Sequence, residues 1–521
     1  MLDRNISRSG RESYVYMSHW YLSTYGCHSQ LVFDHSCIPA WRPSFKPGTN
    51  LSFLTLTSAL LPPYSHTMAP VAITPVSPPS PTLDSTSKLT KAGTNTILSQ
   101  TISNDSPAVA DLDASKLTIT PNLNPKPVPA LDSPEIWEQN VTTDHMLTVR
   151  WTEQAGWDAP EIRPYGPLSI MPIASVLHYA TECFEGMKAY RGHDGKVRLF
   201  RPQCNAARFL KSAARIALPG FPPEEFLKLL KKFVGVEAKK WIATPGTCIY
   251  IRPTMIATAA ALGVQKPKEA LMYIMMVVFP PLDEPNPNVT VLSSSGQQPQ
   301  QLSNGAATNG ASHNHAIAAK DRASLGMRLL ASNHDMIRAW PGGFGHAKVG
   351  ANYGPSLVAQ GEARARGYSQ ILWLFGEECY VTEAGGSNFF LLWLNKETGK
   401  KELVTAPLGD GIILEGVTRA SVLELVRKSR PDVDVVERRF TMQELLDADE
   451  EGRLIEAFAA GTAFFIAPIA DIHFRGVDLV FPLGKAEGEG EFAMGVKQDL
   501  KDIMYGKIGH EWGVVVEELG I

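Results

Sequence analysis

Gly343-Phe344-Gly345-His346-Ala347-Lys348-Val349-Gly350-Ala351-Asn352-Tyr353-Gly354 sets one lysine among four glycines, with a tyrosine five residues further on. Glycine lets backbone run close to a bound group in conformations that other residues avoid. A lysine held in such a crowded, dry place can lose its proton and act as an amine nucleophile. Taken alone, the string also describes a surface turn with a solvated lysine. The rest of the chain decides between the two.

Downstream lie Thr382-Glu383-Ala384-Gly385-Gly386-Ser387-Asn388-Phe389-Phe390, Gly416-Val417-Thr418-Arg419 and Ala459-Ala460-Gly461-Thr462-Ala463. Upstream are Phe184-Glu185-Gly186-Met187-Lys188, Leu199-Phe200-Arg201-Pro202 and Tyr250-Ile251-Arg252-Pro253-Thr254. In this order and spacing the strings closely resemble those of the branched-chain amino acid aminotransferases. That family belongs to fold type IV of the pyridoxal 5'-phosphate (PLP) enzymes. The resemblance runs from about Trp137 to the C-terminus. It implies a two-domain α+β fold of the D-amino-acid aminotransferase-like kind, PLP as cofactor, and amino transfer between leucine, isoleucine or valine and 2-oxoglutarate. A homodimer follows by the same analogy.

A length of 521 residues suits roughly three domains. Net charge is −4 and the isoelectric point is about 6.4, so no basic field points to nucleic acid or anionic membrane. The six cysteines are scattered without a CxxC, which fits buried or reduced thiols in a reducing compartment. His313 and His315 fall in a low-complexity tract and read as chance rather than as metal ligands. No apolar run reaches the roughly 18 residues a membrane span needs, so a soluble protein is expected.

Residues 1–135 do not read as a domain. No Phe, Trp or Tyr occurs from Ser65 through Ile136, while thirteen prolines fall between Pro62 and Pro134. Such a segment buries too little surface to offset its ordering entropy, and disorder is expected. Arg4, Arg8 and Arg11 among serines hint at a mitochondrial presequence, diluted by Asp3 and Glu12; a start at Met68 is the alternative. Mitochondrial location is favoured over cytoplasmic.

A small α+β domain is expected over 136–282, with strands at Val197–Phe200, Thr247–Arg252 and Leu271–Phe279, and helices from Asn205 and from Pro223. Residues 283–326 read as an interdomain connection holding a low-complexity insertion at 293–319. A larger α+β domain follows over 327–521. Its expected strands are Gln370–Phe375, Cys379–Glu383, Phe389–Leu394, Glu402–Thr405 and Gly461–Ile466, and its helices Thr418–Ser429, one capped by Thr441 and Glu444, and Phe492–Tyr505.

PLP needs a lysine, partners for its ring nitrogen and phenolic oxygen, and an anion site. The resemblance makes Lys348 the Schiff-base lysine and proton carrier, Glu383 the partner of the ring nitrogen, and Tyr353 that of the oxygen. For the phosphate it implies Arg208, Thr462 and the amides of Val417 and Thr418 at a helix start, where the dipole favours an anion. For the substrate it implies Tyr179 and Tyr250 as apolar walls, the Ala463 amide for the α-carboxylate, and Arg252 for the distal carboxylate of glutamate. Leu262 and Val264 match a loop that reaches the neighbouring subunit's site. No metal is implied.

Two departures from the family stand out. Gly386 replaces a common threonine, and Phe464 and Ala467 occupy the places of a thiol pair carried by animal members. Alternatives at this point are a D-amino-acid transaminase, an aminodeoxychorismate-lyase-like enzyme, or a non-catalytic scaffold using the proline-rich stretch Ser77–Pro81 as a docking segment.

Overall fold

The computed structural model describes residues 109–130, 133–280, 326–483 and 490–520. The expectations for Met68, for the arginines near Met1 and for the 293–319 tract lie outside these residues.

A ten-stranded sheet is built from residues 118–277 together with the C-terminal strand Gly513–Val516, which pairs antiparallel with Val197–Phe200. Its centre is the antiparallel pair Cys248–Ala257 and Glu269–Val277, with Arg252 opposite Met275. Cys248–Ala257 receives two short partners on its other edge. Met187–Arg191 covers its first half and Glu182–Phe184 its second. Between them the Glu185 N–H donates to the Pro253 carbonyl at 2.8 Å, so the Phe184-Glu185-Gly186 string lies on the Arg252-Pro253-Thr254 string. Gly186 is required there, because a Cβ would stand 2.2 Å from the Tyr250 hydroxyl.

Two helices, Pro202–Arg215 and Pro223–Trp241, cover this sheet. The second begins with proline at its first turn, carries Glu224 and Glu225 near its start and Lys239 and Lys240 near its end, which suits the helix dipole. Phe226, Leu229, Leu230, Phe233 and Val234 are spaced to form one face, and all are fully buried.

The second sheet has nine strands from residues 327–480. Tyr380–Ala384 pairs with Gln370–Phe375 and also with Ser387–Leu394, which closes a ring through Met327–Ala331, Phe465–Phe474 and Leu454–Gly461. Met327–Ala331 runs parallel to both its neighbours, so the hairpin succession read from sequence holds for only part of the ring. Tyr190, Phe200, Phe390, Val422, Phe458 and Trp512 form a core joining the two sheets. The helix Met442–Glu450 starts with the expected capping box between Thr441 and Glu444.

Two expectations are corrected. Gly461–Ile466 is not one continuous strand but the tip of a hairpin, with a turn at Thr462–Phe464 between Leu454–Gly461 and Phe465–Phe474. Both arms are mostly buried, so apolarity continues across the reversal and hides it. Residues 109–130, expected to be disordered, are docked. Leu112 is buried, Thr118–Ile119 pairs parallel with Glu161–Ile162, and the Asn122 and Lys126 amides donate to His145 and Asp144. Backbone donors on buried polar groups hold this segment, a device that an aromatic count does not register.

Candidate active site

Lys348 lies in the glycine loop between the two sheets. Its amide donates to Ser212 Oγ of the first helix at 2.9 Å, and its carbonyl accepts from the Phe184 N–H at 3.0 Å. Asn352 donates to the carbonyls of Phe344 and Ala347, locking the loop from within. Gly345 and Gly350 permit the approach: a Cβ on them would lie 1.9 Å from the Ile412 carbonyl oxygen and 2.0 Å from Glu182 Oε1. The Lys348 Nζ donates to the Tyr353 hydroxyl at 3.1 Å and sits 4.7 Å from the centre of the Phe184 ring. The guanidinium of Arg252 also stacks on Phe184, at 4.7 Å, and Arg252 Nη2 donates to the Tyr250 hydroxyl at 2.8 Å.

Glu383 is buried at the closed side of the ring. Its Oε1 accepts from Asn388 Nδ2 and from the Leu414 N–H, and its Oε2 is ion-paired with Arg338 at 2.5 Å, off the hydrogen-bonding direction. Burial pushes its carboxyl above the ordinary range, opposed by the charge of Arg338, the Leu414 amide and the charge of Lys348.

A third group gathers at the start of the helix Val417–Ser429. Gly416 is its N-cap and no side chain caps it, so the first amides face a narrow cleft lined by Gly186, Asn205, Val417, Thr418 and Thr462. Arg208 stands beside this cleft with Nε and Nη2 on Glu185, at 2.7 Å each, and Nη1 on the Glu415 carbonyl. The Thr462 hydroxyl donates to the Gly186 carbonyl at 3.4 Å, and the Ala463 carbonyl accepts from Lys188 Nζ at 2.8 Å.

The structure thus brings Lys348, Tyr353, Tyr250 and Arg252 together, sets Glu383 within reach of the lysine's charge, and gathers Arg208, Val417, Thr418 and Thr462 around one helix start. Tyr179 is partly exposed, its hydroxyl accepting from the Gly263 N–H. Leu262 and Val264, at 60% and 92% exposure, project from that loop into solvent. Sequence reasoning missed Arg338, Glu185 and Asn388 as partners of the key side chains. Glu185 and Asn388 stood inside quoted strings, whereas Arg338 lies ten residues before Lys348 in irregular backbone with no local signature. A separate cleft of about 540 Å³, lined among others by His334, Arg366, Cys379 and Arg475, contains none of the expected site residues.

A lysine amine, a buried carboxylate and a helix start without a side-chain cap lie together between the two sheets, the arrangement expected of a class IV aminotransferase. The family model for "Amino-transferase class IV" matches residues 327–472. The mitochondrial branched-chain-amino-acid aminotransferase of Saccharomyces cerevisiae is 43% identical over 414 residues, 79% of this chain and 95% of that protein. The cytosolic enzyme of the same yeast is 41% identical, over 79% of this chain and 99% of the relative. The crystal structure of the branched-chain aminotransferase of the thermophilic archaeon Thermoproteus uzoniensis, with norvaline, shares the fold at a TM-score of 0.50 and 24% identity, over 71% of this chain and 99% of that one. The chain belongs to the branched-chain-amino-acid aminotransferase family.

Proposed function

We propose that this protein is a PLP-dependent transaminase moving the amino group between leucine, isoleucine or valine and 2-oxoglutarate. The observation that carries the reading is the Lys348 amine at 3.1 Å from the Tyr353 hydroxyl, within the electrostatic reach of the buried Glu383. The relatives at about 40% identity favour it over a D-amino-acid transaminase, a lyase or a scaffold.

The residues fit the cofactor. Glu383 Oε2, ion-paired with Arg338, is a buried acceptor with no hydrogen bond among the described residues, suited to a protonated ring nitrogen, and the uncapped helix start suits a phosphate. Lys348 would hold the cofactor covalently, Tyr353 its phenolic oxygen, and Arg208, Thr462 and the Val417 and Thr418 amides its phosphate. When bound, PLP supplies an electron sink for the pair left when the substrate's Cα proton departs. Lys348 takes that proton and returns it, oriented by Tyr353. Glu383, raised by burial and drawn back down by Arg338, would answer the positive charge of the ring nitrogen. Tyr250 and Tyr179 wall the pocket, the Ala463 amide receives the α-carboxylate, and Arg252 answers the distal carboxylate of glutamate.

The protein acts as a homodimer in this reading. The exposed Leu262 and Val264 would cover the neighbouring subunit's site, and exposed Leu357, Val358 and Trp340 supply further apolar surface. For location the reading favours mitochondria over the cytoplasm, on the arginines among serines near Met1; both mitochondrial and cytosolic relatives match the chain. The absorbance spectrum of the purified protein tests the catalytic reading. Leucine should convert the bound cofactor to its amine form and 2-oxoglutarate should restore it. A spectrum unmoved by leucine would remove the assignment.

A further inference from the structure

Arg252 is a half-buried cation with an unusual set of neighbours. Its Nη2 is on Tyr250, its face is on Phe184, and its Nε meets no hydrogen-bond partner among the described residues. A desolvated cation of this kind depends on a nearby anion. The strand Glu182–Phe184 supplies one. It pairs with Thr254–Ile256, Glu182 opposite Ile256, and it sets the Glu182 carboxylate against the lysine loop at Gly350. Glu182 shares its face of the strand with Phe184, on which Arg252 stacks, and it feels the charge of Arg252 with no direct ion pair between them among the described residues. Burial pushes the Glu182 carboxyl up, and Arg252 draws it back down.

Resting on the transaminase reading, we infer that Glu182 sets the balance between the two substrate classes. It is the resident counter-charge of Arg252 while an apolar side chain fills the pocket, and it opposes the distal carboxylate of a dicarboxylic substrate. The same carboxylate therefore favours the branched-chain half-reaction and restrains the glutamate one. This is a specificity-determining role, distinct from that of Arg252, because Glu182 attracts neither substrate.

Two unreactive acids, glutarate and 4-methylpentanoate, measure it by calorimetry on the holoenzyme. Glu182→Gln should shift the ratio of their dissociation constants at least about fivefold toward glutarate, because a like charge near the bound carboxylate is gone. The glutamate-to-leucine ratio of single-turnover rates should move the same way. Glu182→Asp, which keeps the charge, should stay near the parent ratio, and in an Arg252→Met background Glu182→Gln should lose most of its effect. A ratio unchanged by Glu182→Gln, or shifted equally in the Arg252→Met background, would overturn the inference. Failure of the parent enzyme to react with leucine would instead remove the transaminase reading, while the calorimetric comparison would still decide the role of Glu182.

Discussion

Lys348 meets three demands at once: its backbone is pinned to the strand Glu182–Phe184 and to the helix covering the first sheet, its amine faces Tyr353, and its charge reaches Glu383. Lys348→Ala should abolish turnover and the cofactor's bound absorbance while thermal unfolding stays cooperative, since only the side chain leaves. Steady-state transamination by that variant would contradict the role. Arg338 offers a test at the same scale with a pH signature. Glu383 is raised by burial and drawn down by Arg338, so Arg338→Met raises it further. A carboxyl whose folded value exceeds its unfolded one binds more protons when folded, and stability then falls as pH rises between the two values. The deficit of Arg338→Met against the parent should therefore grow from pH 5 to pH 8, towards about 3–5 kcal/mol for an unpaired buried charge. Urea melts giving the same deficit at both pH values would show that Arg338 does not hold this carboxylate. The candidate residues that gather around Lys348 and the helix start could be picked out because their strings are contiguous. Arg338 and Glu182 were not, because their roles arise only where distant strands and loops meet.

Among the elements, the helix Val417–Ser429 shows how one segment divides its labour. Its uncapped start faces the cleft, while Arg419, one residue beyond Thr418, turns into the core. Arg419 Nη2 donates to the Ala406 carbonyl and to Glu437, at the end of the strand Val433–Glu437. Burial raises the Glu437 carboxyl, but hydrogen bonds from Arg427 and Arg419 outweigh it and hold the group below the ordinary range. An acid depressed in the folded state adds stability above its unfolded value, about pH 4.3, and loses that contribution as pH falls through the folded one. Glu437→Gln should cost about 1–2 kcal/mol at pH 7, since solvent screens the partly exposed carboxylate while the buried Arg419 loses its counter-charge, and distinctly less at pH 3. An equal cost at both pH values would mean that side-chain shape, not charge, matters here. Strands and helices with clean periodicity were read nearly to their ends, as with Val197–Phe200 and Gln370–Phe375. The hairpin at Thr462 and the closing of the ring were hidden, because reversal and closure depend on pairing between segments far apart in sequence.

On the scale of the whole molecule, the C-terminal strand Gly513–Val516 returns to the first sheet, and Arg201 stacks on Trp512 at 4.3 Å. The N-terminal stretch 109–130 lies along the same unit, with Ala114 N–H on Glu225 and Lys126 Nζ on Thr142. Both segments pack on the first sheet and its helices. Residues 1–108 and 109–130 should therefore behave differently on truncation, a distinction that composition alone did not draw. Removing 1–108 should leave the melting temperature and the leucine half-reaction close to those of the full chain. Removing 1–130 should strip the cover from Leu112's site, leave Asp144 and His145 without their backbone donors, and lower the melting temperature. Leu112→Ala isolates the apolar share and should cost about 2–4 kcal/mol, as for other fully buried leucines. If the 1–130 deletion melts with the 1–108 deletion and Leu112→Ala is neutral, the docked segment contributes nothing, and the fold proper begins near Trp137.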